Sequence, residues 1–269
     1  VQDTLFEMLV DINEVCARND IKWGLIAGSL LGAVRYNDFI PWDDDVDIYM
    51  LRNEYTKLER IFNNELGNKY ILKKPGDKGY IFHFPQIQKR DTKLQLLESS
   101  EDDNSGLFID LFIYDNVSDK NIFKILHGLS STALLFIDST LRMKLCEKNI
   151  LKYCGDLKEV KSVLKQRTIW AILFSFRPLE YWLKKSDNVF GMIRKSGTYL
   201  VNPSGAKHYF GEIYLKKEMS DVVKIKFRNI ELPVPKGYDY YLRTRYGENY
   251  IIPPNEKGRE THKYIAVRL

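Results

Sequence analysis

At 269 residues the chain can bury a full core in one or two domains, and 44% hydrophobic with 29% charged residues is the composition of a soluble globular protein. A net charge of +5 is too small to point to nucleic acid, which is not an expected partner. The longest apolar run, residues 169–176, is far short of the roughly 20 that cross a bilayer, so no transmembrane segment is expected.

Val1, Leu5, Met8, Ile12 and Val15 share one helical face, and the acids Asp3, Glu7 and Asp11 within that helix set it apart from a signal peptide. Asn19-Asp20 ends it. Residues 21–27 predict a short strand running into a turn at Gly28-Ser29, and 30–34 a short helix. A turn at Asn37-Asp38 and an extended entry at Pro41 lead to a strand over 46–51 and a helix over 54–66 closed by Gly67. Residues 70–73, 80–88, 93–97 and 107–114 are strand-like, the last interrupted by one charge, Asp110.

From Ser118 to about Gly197 the apolar spacing is helical, and residues 118–200 hold 15 Lys/Arg against 7 Asp/Glu, a net of +8. Residues 224–232 predict a hairpin turning at Arg228-Asn229, and 239–246 a last helix before Gly247. The fold class is α+β: a mixed-sheet catalytic core over 1–117, a helical segment over 118–200, and a segment over 201–269 returning to the core. Cys16, Cys146 and Cys154 lack Cys-x-x-Cys spacing, which fits a reducing cytoplasm and supplies no zinc or disulfide framework.

The chemistry concentrates in Pro41-Trp42-Asp43-Asp44-Asp45-Val46-Asp47-Ile48. On a strand Asp45 and Asp47 project to one face, and two half-buried carboxylates repel unless a cation lies between them. Oxygen donors favour Mg²⁺ or Mn²⁺, ions that share their coordination with substrate phosphates. Gly28 before Ser29 lets backbone N–H groups approach such a phosphate. Phosphoryl chemistry needs a further acid, and Asp110 is the first choice, with Asp115 the runner-up. Asp43, Asp45, Asp47 and Glu54 also match positions of a calcium loop, but Ile48 stands where that loop requires glycine. The histidines show no metal spacing, and there is no phosphate-binding Gly-Lys-Ser/Thr loop.

Gly28-Ser-Leu-Leu-Gly-Ala-Val-Arg35, followed by Phe39-Ile-Pro-Trp-Asp-Asp-Asp-Val-Asp-Ile48, resembles the signature of the LicD family, bacterial phosphocholine transferases akin to the fukutin-related proteins. The blocks 233–238, 246–248 and 253–262 are similar to that family's ending. The resemblance implies a nucleotidyltransferase-like core, with Asp45, Asp47 and Asp110 as catalytic metal ligands and Gly28-Ser29 as the phosphate turn. It further implies that Arg35 pairs with a donor phosphate, or instead bridges to Asp43 or Asp44, and that Arg259 and His262 close over the donor. Where the family commonly has glycine before Phe-Ile-Pro-Trp, this chain has Asn37-Asp38.

The expected reaction is metal-dependent transfer of phosphocholine from CDP-choline to a sugar hydroxyl of a glycan, lipopolysaccharide or teichoic acid precursor of the cell wall. Choline's quaternary ammonium would need an aromatic cage, for which 17 tyrosines and 14 phenylalanines are available. The alternatives are a CDP-ribitol or CDP-glycerol donor, nucleotidyl transfer from CTP, and a non-catalytic binder of phosphocholine-bearing glycans. The expected location is the cytoplasm. Peripheral contact at the inner face of the cell membrane, through the basic helical segment and toward a lipid-linked acceptor, is the variant to test.

Overall fold

The apolar stripe Leu5, Met8, Leu9, Ile12 and Val15 is buried on helix α1 (Gln2–Arg18), as its spacing requires. The computed structural model describes residues 1–96, 105–154, 158–255 and 264–268. Strand β1 is only Gly24–Leu25, shorter than the strand expected over 21–27. At Ala27 the backbone turns left-handed (φ 47°) and helix α2 (Ala27–Tyr36) begins, so Gly28-Ser29 lies in the first helical turn rather than ahead of a helix. A side chain at Gly32 would meet Asp38 O at 2.7 Å and Ile40 N at 2.8 Å, so glycine lets α2 lie directly on the loop that follows. Asn37 closes α2 in the left-handed region (φ 51°), which Asn tolerates, and Asp38 accepts from Arg228 Nε at 2.7 Å. The departure at Asn37-Asp38 is thus answered by a left-handed cap and an ion pair.

Strand β2 (Asp47–Leu51) runs directly into helix α3 (Arg52–Glu65). Strands β3 (Tyr70–Lys73) and β4 (Gln86–Lys89) follow, then β5 (Lys93–Leu96) and β6 (Phe108–Val117). The strand expected over 80–88 is confined to its last residues. Pro85 has no N–H to donate and offers only its carbonyl, to Leu111, while Tyr80 OH folds back onto Phe84 O at 2.7 Å. The main sheet is ordered β1-β2-β6-β4-β3, with β2 and β6 parallel and the other pairs on this path antiparallel. Ile48, Met50, Ile109, Leu111 and Ile113 line one face and are buried, with α1 and α3 packed on that side. The opposite face carries Asp47, Asp110, Phe112 and Tyr114.

Helices α4 (Asn121–Leu145), α5 (Glu147–Cys154), α6 (Lys158–Phe174) and α7 (Leu179–Phe190) make the helical lobe. It has its own core around Leu134, Leu141, Ala171, Trp182 and Leu183, joined by Tyr80 and Phe82 from the irregular segment. Strand β7 (Tyr199–Val201) then pairs with the end of β6, and beyond the short helix α8 (His208–Gly211) strand β8 (Ile213–Leu215) pairs with β7. After helix α9 (Lys216–Met219) come the hairpin β9 (Val222–Phe227) and β10 (Ile230–Pro235), helix α10 (Tyr238–Tyr246), and β11 (Tyr264–Arg268) paired with β5. Helices beside a mixed sheet make an α+β fold, as expected.

Candidate active site

The floor of the site is built by strand register. Asp47 opens β2 directly beside Asp110 of β6, and Gln86 of β4 stands opposite Asp110 on the other side. Neighbouring strands lie about 4.8 Å apart, so the two carboxylates face one space. Gln86 Nε2 donates to Asp110 Oδ1 at 2.8 Å, and Gln88 Nε2 donates to Gln86 Oε1 at 3.1 Å. Both glutamines are buried, so this short relay orients Asp110 from within the sheet. From α2, buried Ser29 accepts the Asp47 N–H on its Oγ at 2.9 Å, tying the helix to the first residue of the acid strand.

Asp45 lies in the extended segment before β2 rather than on the strand itself. The carboxylates of Asp43, Asp44 and Asp45 approach within 4.8 Å of one another. This compact trio differs from the expected set of Asp45, Asp47 and Asp110, of which the last two belong to the pocket floor. Burial, then the charges of Asp45, Asp110 and Asp43, hold the Asp47 carboxyl well above the usual range, with Arg245 pulling the other way. Burial and Asp45 push Asp43 up to about 8. Acids that resist ionisation together are poised to gain from a cation.

Above this floor is a cleft of about 530 Å³, within the size range of small-molecule sites. Phe82, Phe84, Phe108, Phe112, Tyr114 and Tyr241 supply aromatic walls. Two guanidinium groups enter from distant parts of the chain: Arg142 from α4 and Arg245 from α10. Arg245 pairs with the fully buried Glu212, whose other oxygen accepts from Tyr214 OH at 2.7 Å. His83 lines the cleft with Nε2 3.3 Å from Ser204 O, and burial followed by the charge of Arg142 lowers it to about 3. It is neutral at physiological pH, so the arginines carry the positive charge for an anionic ligand.

Other expected site residues make contacts of their own. The open side of Gly28 faces a carboxylate: a Cβ there would lie 3.0 Å from Asp43 Oδ2. Arg35 is not among the residues lining the cleft. It donates to the carbonyls of Tyr250 (Nε at 2.7 Å) and Ile252 (Nη2 at 3.0 Å), so its fork holds the C-terminal segment against α2. Arg259 and His262 lie outside the described residues. Asp115 is five residues beyond Asp110 and therefore on the opposite face, where Arg52 grips both its oxygens at 2.8 and 2.6 Å. Glu54, which a calcium loop would need, is buried on α3 and accepts from Lys22 N and Lys57 Nζ, each at 3.0 Å.

Gln86, Arg142, His83 and Arg245 were missed from sequence. Gln86 sits in a segment that alternates in no useful way, and Arg142 is one cation among many on a basic helix. Arg245 had a signal, because it immediately precedes the family-like Tyr246-Gly247-Glu248 block. If the relay holds Asp110 in place, Gln86→Leu lowers turnover about 10–100-fold with little change in KM, the cost of losing an outer partner of a ligand. Steady-state kinetics check this, and unchanged turnover would remove the relay from the site.

Paired acids beneath an aromatic cleft, with two arginines beside them, are the equipment of a phosphotransferase, and the chain is an enzyme of that class. Residues 20–133 match the family model LicD, described as LicD/FKTN/FKRP, nucleotidyltransferase domain. A LicD-type domain therefore spans residues 20–133 of this chain. It is 27% identical over 255 residues, 92% of this chain and 89% of the relative, to the lipopolysaccharide cholinephosphotransferase LicD of Haemophilus influenzae. Shorter matches of 58 residues, at 38% and 36% identity, relate 22% of the chain to uncharacterised proteins of Rickettsia prowazekii and Rickettsia typhi, about one fifth of their lengths.

Proposed function

We propose that the protein transfers phosphocholine from CDP-choline to a sugar hydroxyl of a cell-surface glycan, with lipopolysaccharide or a teichoic acid precursor as the acceptor class. The observation that carries this reading is the convergence of Asp47 and Asp110 with Arg142, Arg245 and an aromatic wall in one cleft. The relative's name, a lipopolysaccharide cholinephosphotransferase, supports the passenger and the acceptor class.

Arg142 and Arg245 bind the donor's diphosphate, and the aromatic wall takes the quaternary ammonium by cation–π attraction. Asp110, aimed by Gln86, accepts the proton of the acceptor hydroxyl as its oxygen attacks the choline-bearing phosphorus. The bond from that phosphorus to the CMP oxygen breaks, and CMP leaves with the electron pair. The all-oxygen donor set and the raised acids fit a divalent cation, which Asp45 and Asp47 would hold with Asp43 and Asp110 beside them. Mg²⁺ or Mn²⁺, when bound there, would neutralise charge on the diphosphate and on the departing nucleotide.

Incubation with CDP-choline, CDP-ribitol and CDP-glycerol, each with Mg²⁺ or Mn²⁺ and a glycan acceptor, tests the donor. CMP release from CDP-choline above the other two is the expected result. A preference for CDP-ribitol or CDP-glycerol would replace the passenger, and pyrophosphate from CTP would replace the reaction.

The acid cluster also predicts a pH dependence of stability. Asp43 is raised from the ordinary 3.8 to about 8, so between these values the folded state holds a proton that the unfolded chain releases. Stability therefore falls as pH rises through that window. In the absence of divalent cations Tm declines from pH 5 to pH 8, less steeply in Asp43→Asn, and Mg²⁺ or Mn²⁺ raises it most at the alkaline end. A wild-type Tm that climbs over this range and ignores both cations would refute the cluster as a cation site.

A further inference from the structure

Among the described residues, the helical lobe leaves two apolar stripes exposed. On α4, Ile122, Leu126, Leu129 and Phe136 are exposed at spacings of three to seven residues, one stripe along the helix. On α6 and just past its end, Ile169, Ile172, Leu173 and Phe176 form a second stripe, with Ile169 66% and Phe176 69% exposed. The stripes meet where Phe136 packs edge-on against Trp170, ring centroids 5.9 Å apart. Beside them Leu141, Leu145, Ala171, Ile172 and Leu179 line a groove of about 320 Å³ that also includes Lys144 and Arg177.

The charge of this region is as one-sided as its hydrophobicity. Residues 118–200 carry a net of +8 while the rest of the chain sums to −3. Lys161 and Lys165, two turns and one turn before Ile169 on α6, are exposed, as are Lys144 and Arg177 at the groove. Apolar stripes bordered by lysine and arginine match the boundary layer of a bilayer bearing anionic headgroups. With 25 residues α4 is long and apolar enough to span a membrane, but it does not fit that role. Its other face buries Asp138, which accepts from Ser186 Oγ of α7 at 2.5 Å, and delivers Arg142 to the cleft.

We infer that the α4/α6 face lies flat on a bilayer containing anionic phospholipid, with the apolar stripes in the headgroup–acyl boundary and the groove receiving an acyl chain. Because α4 also supplies Arg142, this seats the reaction cleft one helix away from the lipid surface. The inference does not depend on the identity of the donor.

The test uses the full chain with vesicles of phosphatidylcholine alone or with 30% phosphatidylglycerol, without substrate. The wild type floats with the anionic vesicles and releases at high salt. Ile169→Glu combined with Leu173→Glu weakens this binding on the order of tenfold or more, as does Lys161→Glu with Lys165→Glu. All four positions are exposed, and circular dichroism verifies that the variants fold. Absence of wild-type flotation with either vesicle, or undiminished flotation of both variants, overturns the inference. So does a wild-type dimer that Ile169→Glu/Leu173→Glu dissociates without any vesicle binding, since a second copy would then cover the face.

Discussion

Asp47→Asn and Asp110→Asn each lower turnover by more than about 100-fold, beyond the 10–100-fold that loss of an outer partner costs, and neither unfolds the protein. Both acids are part-exposed at the cleft floor, so an amide of the same shape keeps the packing. Asp47 resists ionisation because the cleft floor withholds water from its carboxyl and Asp45, Asp110 and Asp43 face it. Removing its charge relieves that repulsion, so the cation-free Asp47→Asn protein melts at or above the wild-type temperature. Activity falls while stability holds, the pattern of a site whose strain serves chemistry. CMP release and thermal melting of the same preparation decide it; near-wild-type turnover in Asp47→Asn would dismiss the acid pair as catalytic.

Asp115→Ala should do the reverse. Asp115 is 2% exposed, and Arg52 grips it bidentately while also reaching Asp187 of α7 at 2.7 Å. One guanidinium thereby joins α3, β6 and the helical lobe. Deleting Asp115 leaves that cation half-buried with one part-exposed partner, a loss of about 3–5 kcal/mol. For a chain of this size that is roughly a 10 °C drop in Tm, read by calorimetry or circular dichroism. Turnover per folded molecule, measured well below the transition, stays within a few-fold of wild type. Lost turnover at an unchanged Tm would mean that the runner-up acid is catalytic after all.

These two acids show how far residue order reaches. Asp110 interrupts the apolar strand and Asp115 follows at its end, and a separation of five residues means opposite faces, a parity readable from the sequence. Which face is the cleft was not readable. That depends on β2 lying parallel to β6 with Asp47 beside Asp110, and on α1 and α3 covering the other side. Arg35 makes the same point from another direction. Its spacing in the signature is local, but its partners are the carbonyls of Tyr250 and Ile252, which only the folded chain brings within reach.

Residue order alone set α1, β2, α3, the helical lobe and the β9/β10 hairpin, because periodicity and turn residues act over a few neighbours. Residue order also set the acidic cluster, since Asp43, Asp44 and Asp45 are consecutive and stay together wherever the chain goes. The tertiary structure decided that Gly28-Ser29 opens a helix, with Ser29 holding Asp47 and Gly28 making room for Asp43. It decided as well that Gln86, Arg142 and Arg245 join the site, since each comes from a separate element whose placement rests on long-range packing. A cleft belongs to several segments at once, and no single segment carries its outline.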